Sequence, residues 1–295
     1  GTGFLAGAPN GIPFTANTKN DNFSGKAAVQ VDLTDDNMAY LSYTRGYKGP
    51  AYNVFYNMAT VHTNVIEPET VNAFEAGLKN SFLDGALIVN LAAYYAKYKN
   101  YQANSPDFVN GVRTTRLINA GSVSTQGFEF ELVATPADNF SVNAGLAYNK
   151  AKVEKFLLPP GANPADLIPS GTPLANAPEW KFATGFDWTI ETGGFANVEL
   201  NGQLAMQSDQ IYDLSANPAV RRGSTVDGYA IVDLSAALVD QNDGWRVALQ
   251  VKNLFDKSFA SSIVSGGPGG AFRYIIPREA DRYFGITARV NFGGN

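Results

Sequence analysis

The chain has 295 residues, a length that one large all-β domain or two smaller domains can occupy. Charged residues make up only 17% against a usual figure of about 25%, while 45% are hydrophobic, which excludes a disordered or polyelectrolyte chain. A net charge of −5 offers no basic field for nucleic acid, the absence of cysteine excludes disulfide, thiol and thiolate-metal chemistry, and a single histidine, His62, leaves no multi-histidine centre or His-based triad.

In chain order, the opening Gly1-Thr2-Gly3-Phe4 has no Met, basic segment or sustained apolar run, so it is not an intact signal peptide. Residues 1–21 read as a loop or partial strand of a mature segment, domain or fragment. From Phe23 to Leu33 the pattern has period two: Ala27, Val29, Val31 and Leu33 oppose Lys26, Gln30 and Asp32. Weaker alternation follows around 38–48, 70–82, 86–102 and 117–134. It is clearest from Phe140 to Asn149, where Phe140, Val142, Ala144, Leu146 and Tyr148 alternate with small or polar residues. Segments 180–190, 195–208 and 228–239 come next, then Trp245–Lys252, and finally Phe284, Ile286, Ala288, Val290 and Phe292 set against Gly285, Thr287, Arg289 and Asn291. The count is about eleven strands. No comparable helical stripe is present, and no apolar run reaches the roughly 18 residues of a membrane helix.

The connections fall into two alternating classes. Short polar turns occur at 34–37, 83–85, 136–139, 191–194 and 240–244, and long irregular stretches at roughly 49–68, 103–115, 157–178, 210–227 and 256–277. Antiparallel strands joined in this order place every long loop at one end, the arrangement of an outer-membrane barrel with short periplasmic turns and long extracellular loops. Strand length agrees, because crossing a bilayer at a tilt takes about nine to eleven residues. Trp180 and Trp188 lie eight residues apart on one face, near the two edges of an apolar band. Lys181 and Asp187 fall on the other face. The spacing therefore predicts Val142, Ala144, Leu146, Phe182 and Phe186 toward lipid, and Ser141, Asn143, Gly145, Lys181 and Asp187 toward a wet lumen.

Catalytic chemistry has little support, and no catalytic, cofactor-binding or metal-ligating residue is assigned. Glu129 and Glu131 share a strand face but read as lumen wall rather than an acid/base pair. The Gly266–Gly270 run lacks the Lys-Ser/Thr ending of a phosphate loop, and the sequons at Asn22 and Asn139 matter only in a eukaryotic secretory protein. The long loops carry the candidate ligand contacts: Tyr52, Phe55, Tyr56, His62, Arg113, Arg116, Tyr212, Arg221, Arg222, Arg273 and Tyr274. Aromatic rings with arginines suit a bulky, partly anionic small molecule. The competing reading is that aromatics mark the membrane interface and arginines meet lipid headgroups or lipopolysaccharide.

Four motifs in order carry a family resemblance. Glu69 to Lys79 followed by Asn90 to Tyr95 resembles the "E-x-G-x-K … a-x-F/Y-Y" hairpin of TonB-dependent outer-membrane receptors. Asn119-Ala120-Gly121 leading to Gly127-Phe128-Glu129 resembles the next strand, Val251 to Lys257 the "V-x-N-L-F-D-K" segment, and Pro277-Arg278 to Phe292 the closing strand. The resemblance covers residues 22–295. It implies an all-β, antiparallel up-and-down transmembrane barrel in the outer membrane of a Gram-negative bacterium, with this chain supplying the C-terminal half of about twenty-two strands. It further implies that a plug and the other barrel half lie outside this chain, and that the whole takes up a scarce bulky solute such as a ferric siderophore through the TonB complex. Its expected partners are outer-membrane lipid, lipopolysaccharide, an extracellular small ligand and, through the plug, TonB. A passive pore or adhesin barrel, and a soluble β-sandwich enzyme or binding protein, remain the alternatives at this point.

Overall fold

In the computed structural model, eleven strands form a single antiparallel sheet in which sequence neighbours are also sheet neighbours. The structure describes residues 2–4, 13–15, 17–52, 65–109, 112–158, 163–265 and 270–292, with side chains at 2–4, 13–15 and 105–116 outside that description. The strands are β1 Gly25–Thr34, β2 Asn37–Lys48, β3 Glu69–Phe82, β4 Leu87–Lys99, β5 Gly121–Ala137, β6 Phe140–Phe156, β7 Trp180–Ile190, β8 Ala196–Gln207, β9 Tyr229–Asp240, β10 Trp245–Lys252 and β11 Tyr283–Val290. All five short connections lie at one end. The β3–β4 turn reaches its tight geometry by placing Leu83, Asp84 and Gly85 at positive φ (56°, 54° and 89°), where an aspartate is tolerated and glycine is unstrained.

Register fixes the two faces. Val142 lies opposite Phe186, which lies opposite Gly202, then Leu234, Val251 and Phe284 across six strands. The row below runs Phe140, Trp188, Leu200, Ala236, Leu249 and Ile286, so period two extends through the sheet as one apolar surface. Polar side chains on that surface are satisfied within the sheet: Asn80 Nδ2 donates to the Val89 carbonyl at 2.9 Å and Thr184 Oγ1 to the Asn143 carbonyl at 2.8 Å. In hydrocarbon an unsatisfied polar group costs several kcal/mol.

The opposite face carries Glu75, Lys79, Glu129, Glu131, Lys181, Asp187, Glu199, Asp233, Arg246 and Lys252. Its groups pair with one another. Tyr40 donates to Glu75 at 2.7 Å, Tyr94 to Asn149 at 3.0 Å and Asn90 to Glu131 at 3.2 Å, while Arg246–Glu199 and Lys252–Asp233 each approach to 2.9 Å. Asn201 donates to Asp187. Val142, Ala144, Leu146, Phe182 and Phe186 thus share the dry face and Ser141, Asn143, Gly145, Lys181 and Asp187 the wet one, as their alternation predicts. Every other sheet among the described residues is a two-stranded ribbon, too small to be the second layer of a β-sandwich.

Aromatic side chains border the apolar band at both edges. Toward the long loops, Trp180 packs against Tyr148 (4.7 Å between centroids) and Phe128 (5.8 Å). Toward the turns, Trp188 meets Phe140 and Phe195 stacks on Trp245, each at 6.3 Å. Rings at both interfaces of an outward apolar band are a feature of transmembrane barrels.

One expectation needs correction. Four of the five long connections are not irregular: antiparallel ribbons join 51–52 to 65–66, 102–109 to 112–119, 210–211 to 225–226 and 262–264 to 273–275. A six-residue helix, α1 Pro218–Gly223, interrupts the fourth. Residues 2–4 and 13–15 pair likewise. These ribbons are short or polar on both sides, so no alternation announces them; backbone pairing within the loop supplies hydrogen bonds that the sequence pattern does not record.

Candidate functional site: the loop-covered end of the sheet

At the long-loop end, the polar face of β4–β6 turns apolar and becomes covered. Ala96, Val123, Ala151 and Val153 are buried there, as are Ile66, Ile118, Ala120 and Ile168 from the connecting segments. Two amides fasten the first two loops. Buried Gln102 donates through Nε2 to the carbonyls of Gly49 (2.9 Å) and Glu67 (3.0 Å), and its N–H is accepted by Glu69 at 2.7 Å. Asn119 donates to the carbonyls of Glu67 and Asn100 and accepts from the Glu67 N–H at 2.7 Å. The third loop adds to the edge of β6: Val153 N–H donates to the Thr172 carbonyl at 2.9 Å and Leu174 N–H to that of Ala151 at 3.0 Å.

The last two loops fold onto each other. Val226, Ala260 and Ile263 form a buried cluster, with Tyr212, Tyr229 and Phe272 packed around it. The Phe272 ring lies so close to Gly223 that a β-carbon there would sit 2.2 Å away, so glycine is what lets the two loops approach. Ser265 donates to Asp213, and Tyr274 Oη to the Gly223 carbonyl at 3.2 Å. Asn253, 1% exposed at the base of the last loop, donates to the carbonyls of Lys257 (3.1 Å) and Glu279 (3.2 Å) and accepts from the Lys257 N–H at 2.8 Å.

The candidate contacts separate on this frame. Tyr212 belongs to the inter-loop core, where burial pushes its hydroxyl pKa up and a 2.8 Å bond from Gln210 Nε2 offsets part of that rise. Arg221 donates to the carbonyls of Ser215 and Ala216, closing the segment before α1. Arg222, Arg273 and Tyr274 are exposed on the fourth and fifth loops, which the Tyr274–Gly223 bond joins. Tyr52 is half-buried in the first ribbon; Arg113 and Arg116 lie on the strand Val112–Asn119, with side chains outside the described residues. Phe55, Tyr56 and His62 lie outside the described residues altogether. The anchors Gln102, Asn119 and Phe272 were missed as loop organisers, although Asn119 stands inside a recognised motif. Among the described residues no three His, Asp or Glu side chains are grouped so as to hold a metal ion.

A dry outer face with aromatic borders, a wet inner face and long loops gathered at one end define an outer-membrane β-barrel wall. The family described as "TonB dependent receptor-like, beta-barrel" matches residues 2–254, and the chain belongs to it. Its members are transport receptors of the Gram-negative outer membrane. The chain is 26% identical over 280 residues to the ferric-pyoverdine M114 receptor PbuA of Pseudomonas sp. (strain M114), covering 90% of this chain and 30% of that receptor. It is 25% identical over 252 residues to the probable TonB-dependent siderophore receptor PiuA of Acinetobacter baumannii, covering 83% of this chain and 32% of the relative. Among solved structures, the ferric yersiniabactin uptake receptor FyuA from Yersinia pestis superposes with a TM-score of 0.73 at 18% identity, over 96% of this chain and 39% of that one. This chain thus spans about a third of the length of the curated relatives it matches.

Proposed function

We propose that residues 22–295 are the C-terminal part of a TonB-dependent receptor barrel that takes up a ferric siderophore. The observation that carries the reading is the segregation of folded, mutually anchored loops to one end of a sheet that is dry outside and wet inside. That is the arrangement needed to capture a solute outside the cell and pass it along a lumen. Relatives that are siderophore receptors support the substrate class. In this reading the plug packs against the polar wall that carries Glu75, Glu129 and Glu131, and TonB acts through that plug. Arg222 and Arg273 form the ligand-facing group, with the exposed ring of Tyr274 beside them, because Tyr212, Arg221 and the Tyr274 hydroxyl are occupied in holding the loops.

The experiment is uptake of radiolabelled ferric siderophores by cells whose only siderophore receptor is the full-length protein. Uptake should require TonB. Replacing Arg222 and Arg273 together by Ala should weaken siderophore binding at least about ten-fold, since each charge-assisted hydrogen bond contributes about 1.5–3 kcal/mol. Transport that continues without TonB would favour the passive pore.

A further inference from the structure

The apolar face is hollowed near the middle of β8–β10. Gly202 and Ala236 leave the hollow, set diagonally on neighbouring strands, since Gly202 pairs with Leu234 and Ala236 with Leu200. The Phe186 ring leans over Gly202, where a β-carbon would come within 2.3 Å of it. Leu200, Leu234, Leu249 and Phe284 complete the rim of an apolar groove of about 400 Å³. In hydrocarbon no water-driven force holds a chain in such a groove. Packing does, because a void forfeits the dispersion contacts of its lining.

Toward the turns, β9 ends in a carboxylate. Asp240 keeps the outward parity of Ala236 and Leu238, and it lies six residues beyond Leu234, about 20 Å along the strand. It pairs with Ala196, next to Phe195, and its turn leads into Trp245, whose ring stacks on that of Phe195 at 6.3 Å. Its Oδ2 accepts the Asn242 and Gly244 N–H groups at 3.2 and 3.1 Å, and its Oδ1 has no partner among the described residues. Asp243 and Glu191 add negative charge in this turn and the one before it, and β7–β11 present no lysine or arginine outward between the groove and the turns. The outward cations lie instead at the loop end: Arg45, Lys97, Lys99 and Lys150 on β2, β4 and β6, and Arg282 over the Phe284 ring. A carboxylate beside aromatic faces selects an ammonium group. At a strand tilt of about 40°, the 20 Å of β9 span about 15 Å of depth, one leaflet of a core about 30 Å thick. A chain anchored at Asp240 therefore ends in the groove. We propose that the outward face of β8–β10 binds one phosphatidylethanolamine of the periplasmic leaflet, its ammonium on Asp240 beside Phe195 and Trp245 and an acyl chain packed over Ala236. Phosphatidylglycerol offers the same chains but no cation, and Asp240, Asp243 and Glu191 repel it. The proposal rests on the membrane placement of this wall and not on which solute is transported.

The test uses the full-length receptor inserted into vesicles holding equal amounts of phosphatidylethanolamine and phosphatidylglycerol, then extracted in mild detergent, with retained lipid counted by native mass spectrometry. The wild type should keep one phosphatidylethanolamine. Asp240→Asn keeps the acceptor that closes the turn and should lower that retention about five-fold, the upper value for an exposed ion pair. Ala236→Phe fills the groove and should release the lipid while leaving the carboxylate in place. Heat-modified gel migration reports folding, and if either variant does not fold, Phe195→Leu carries the test with an expected loss of about two- to five-fold. Equal retention of the two lipids by the wild type overturns the proposal, as does retention unchanged in the variants or lipopolysaccharide held in place of phosphatidylethanolamine in receptor taken from outer membranes. Failure of the membrane placement is separable: then even the wild type does not insert into vesicles.

Discussion

Gly77 shows how a missing side chain shapes the polar wall. It lies opposite Tyr40, and a β-carbon at Gly77 would come within 2.5 Å of the Tyr40 ring, whose hydroxyl reaches Glu75 at 2.7 Å. Gly77→Ala should therefore cost about 1–3 kcal/mol by overpacking, and a Tyr40→Ala background should remove most of that penalty. Urea unfolding of the full-length receptor in vesicles checks it. The two faces differ in a second way that one residue can probe. An arginine at the bilayer midplane costs about 2–4 kcal/mol on the lipid side, whereas a lumen position is wetted. Leu146→Arg should lower insertion yield far more than Asn143→Arg, measured by folding into lipid vesicles; the reverse order would mean that the faces are exchanged. Both glycine and alternation are visible in the sequence, Gly77 inside its E-x-G-x-K segment, yet the partner that makes this glycine necessary stands 37 residues earlier.

At the scale of elements, the strands and the loops obey different rules. A strand records its environment in every second residue, so β6 and β11 are legible on sight. The loops are fixed by single long-range bonds. Asn253, at φ 50°, turns the chain out of β10 and its amide holds both Lys257 and Glu279. Asn253→Ala leaves those groups unsatisfied, a loss of about 1–3 kcal/mol confined to the last loop. Limited proteolysis should show faster cleavage within 254–282 while the thermal midpoint of the sheet changes little; a lowered global midpoint with no new cleavage would contradict it. Inter-loop packing explains why Tyr212 and Arg221 part from the exposed Arg222 and Arg273. Tyr212 has the same residue type as an exposed ligand contact, and only the position of Val226, Ala260 and Ile263 turns it inward.

For the whole molecule, the two ends of the sheet matter most. β1 and β11 each have one unpaired edge among the described residues, and both carry exposed apolar side chains: Val29 is 67% exposed, Phe284 and Ile286 76%. Open edges present unpaired backbone groups that hydrocarbon does not tolerate and that invite pairing with other chains. The isolated 295-residue chain should therefore aggregate on refolding into detergent, and co-refolding with the remaining barrel segment should suppress that. Light scattering and analytical ultracentrifugation read the outcome; a monodisperse, closed monomer from this chain alone would refute the partial-barrel reading.

The period-two pattern, the alternation of short turns with long loops and the spacing of tryptophans were enough by themselves to determine antiparallel strands with one dry and one polar face and every long loop at one end. Those features repeat locally, and each strand must satisfy lipid on one side and water on the other wherever its neighbours lie. Tertiary structure decided what the loops do and where the lysines gather. Lys97 and Lys150 lie on strands that do not touch each other and become neighbours only through β5, while Asn119, Gln102 and Asn253 act through backbone carbonyls that have no residue-type signature. Contacts of that kind depend on register and on which chain segments meet, and neither composition nor period encodes a meeting between segments.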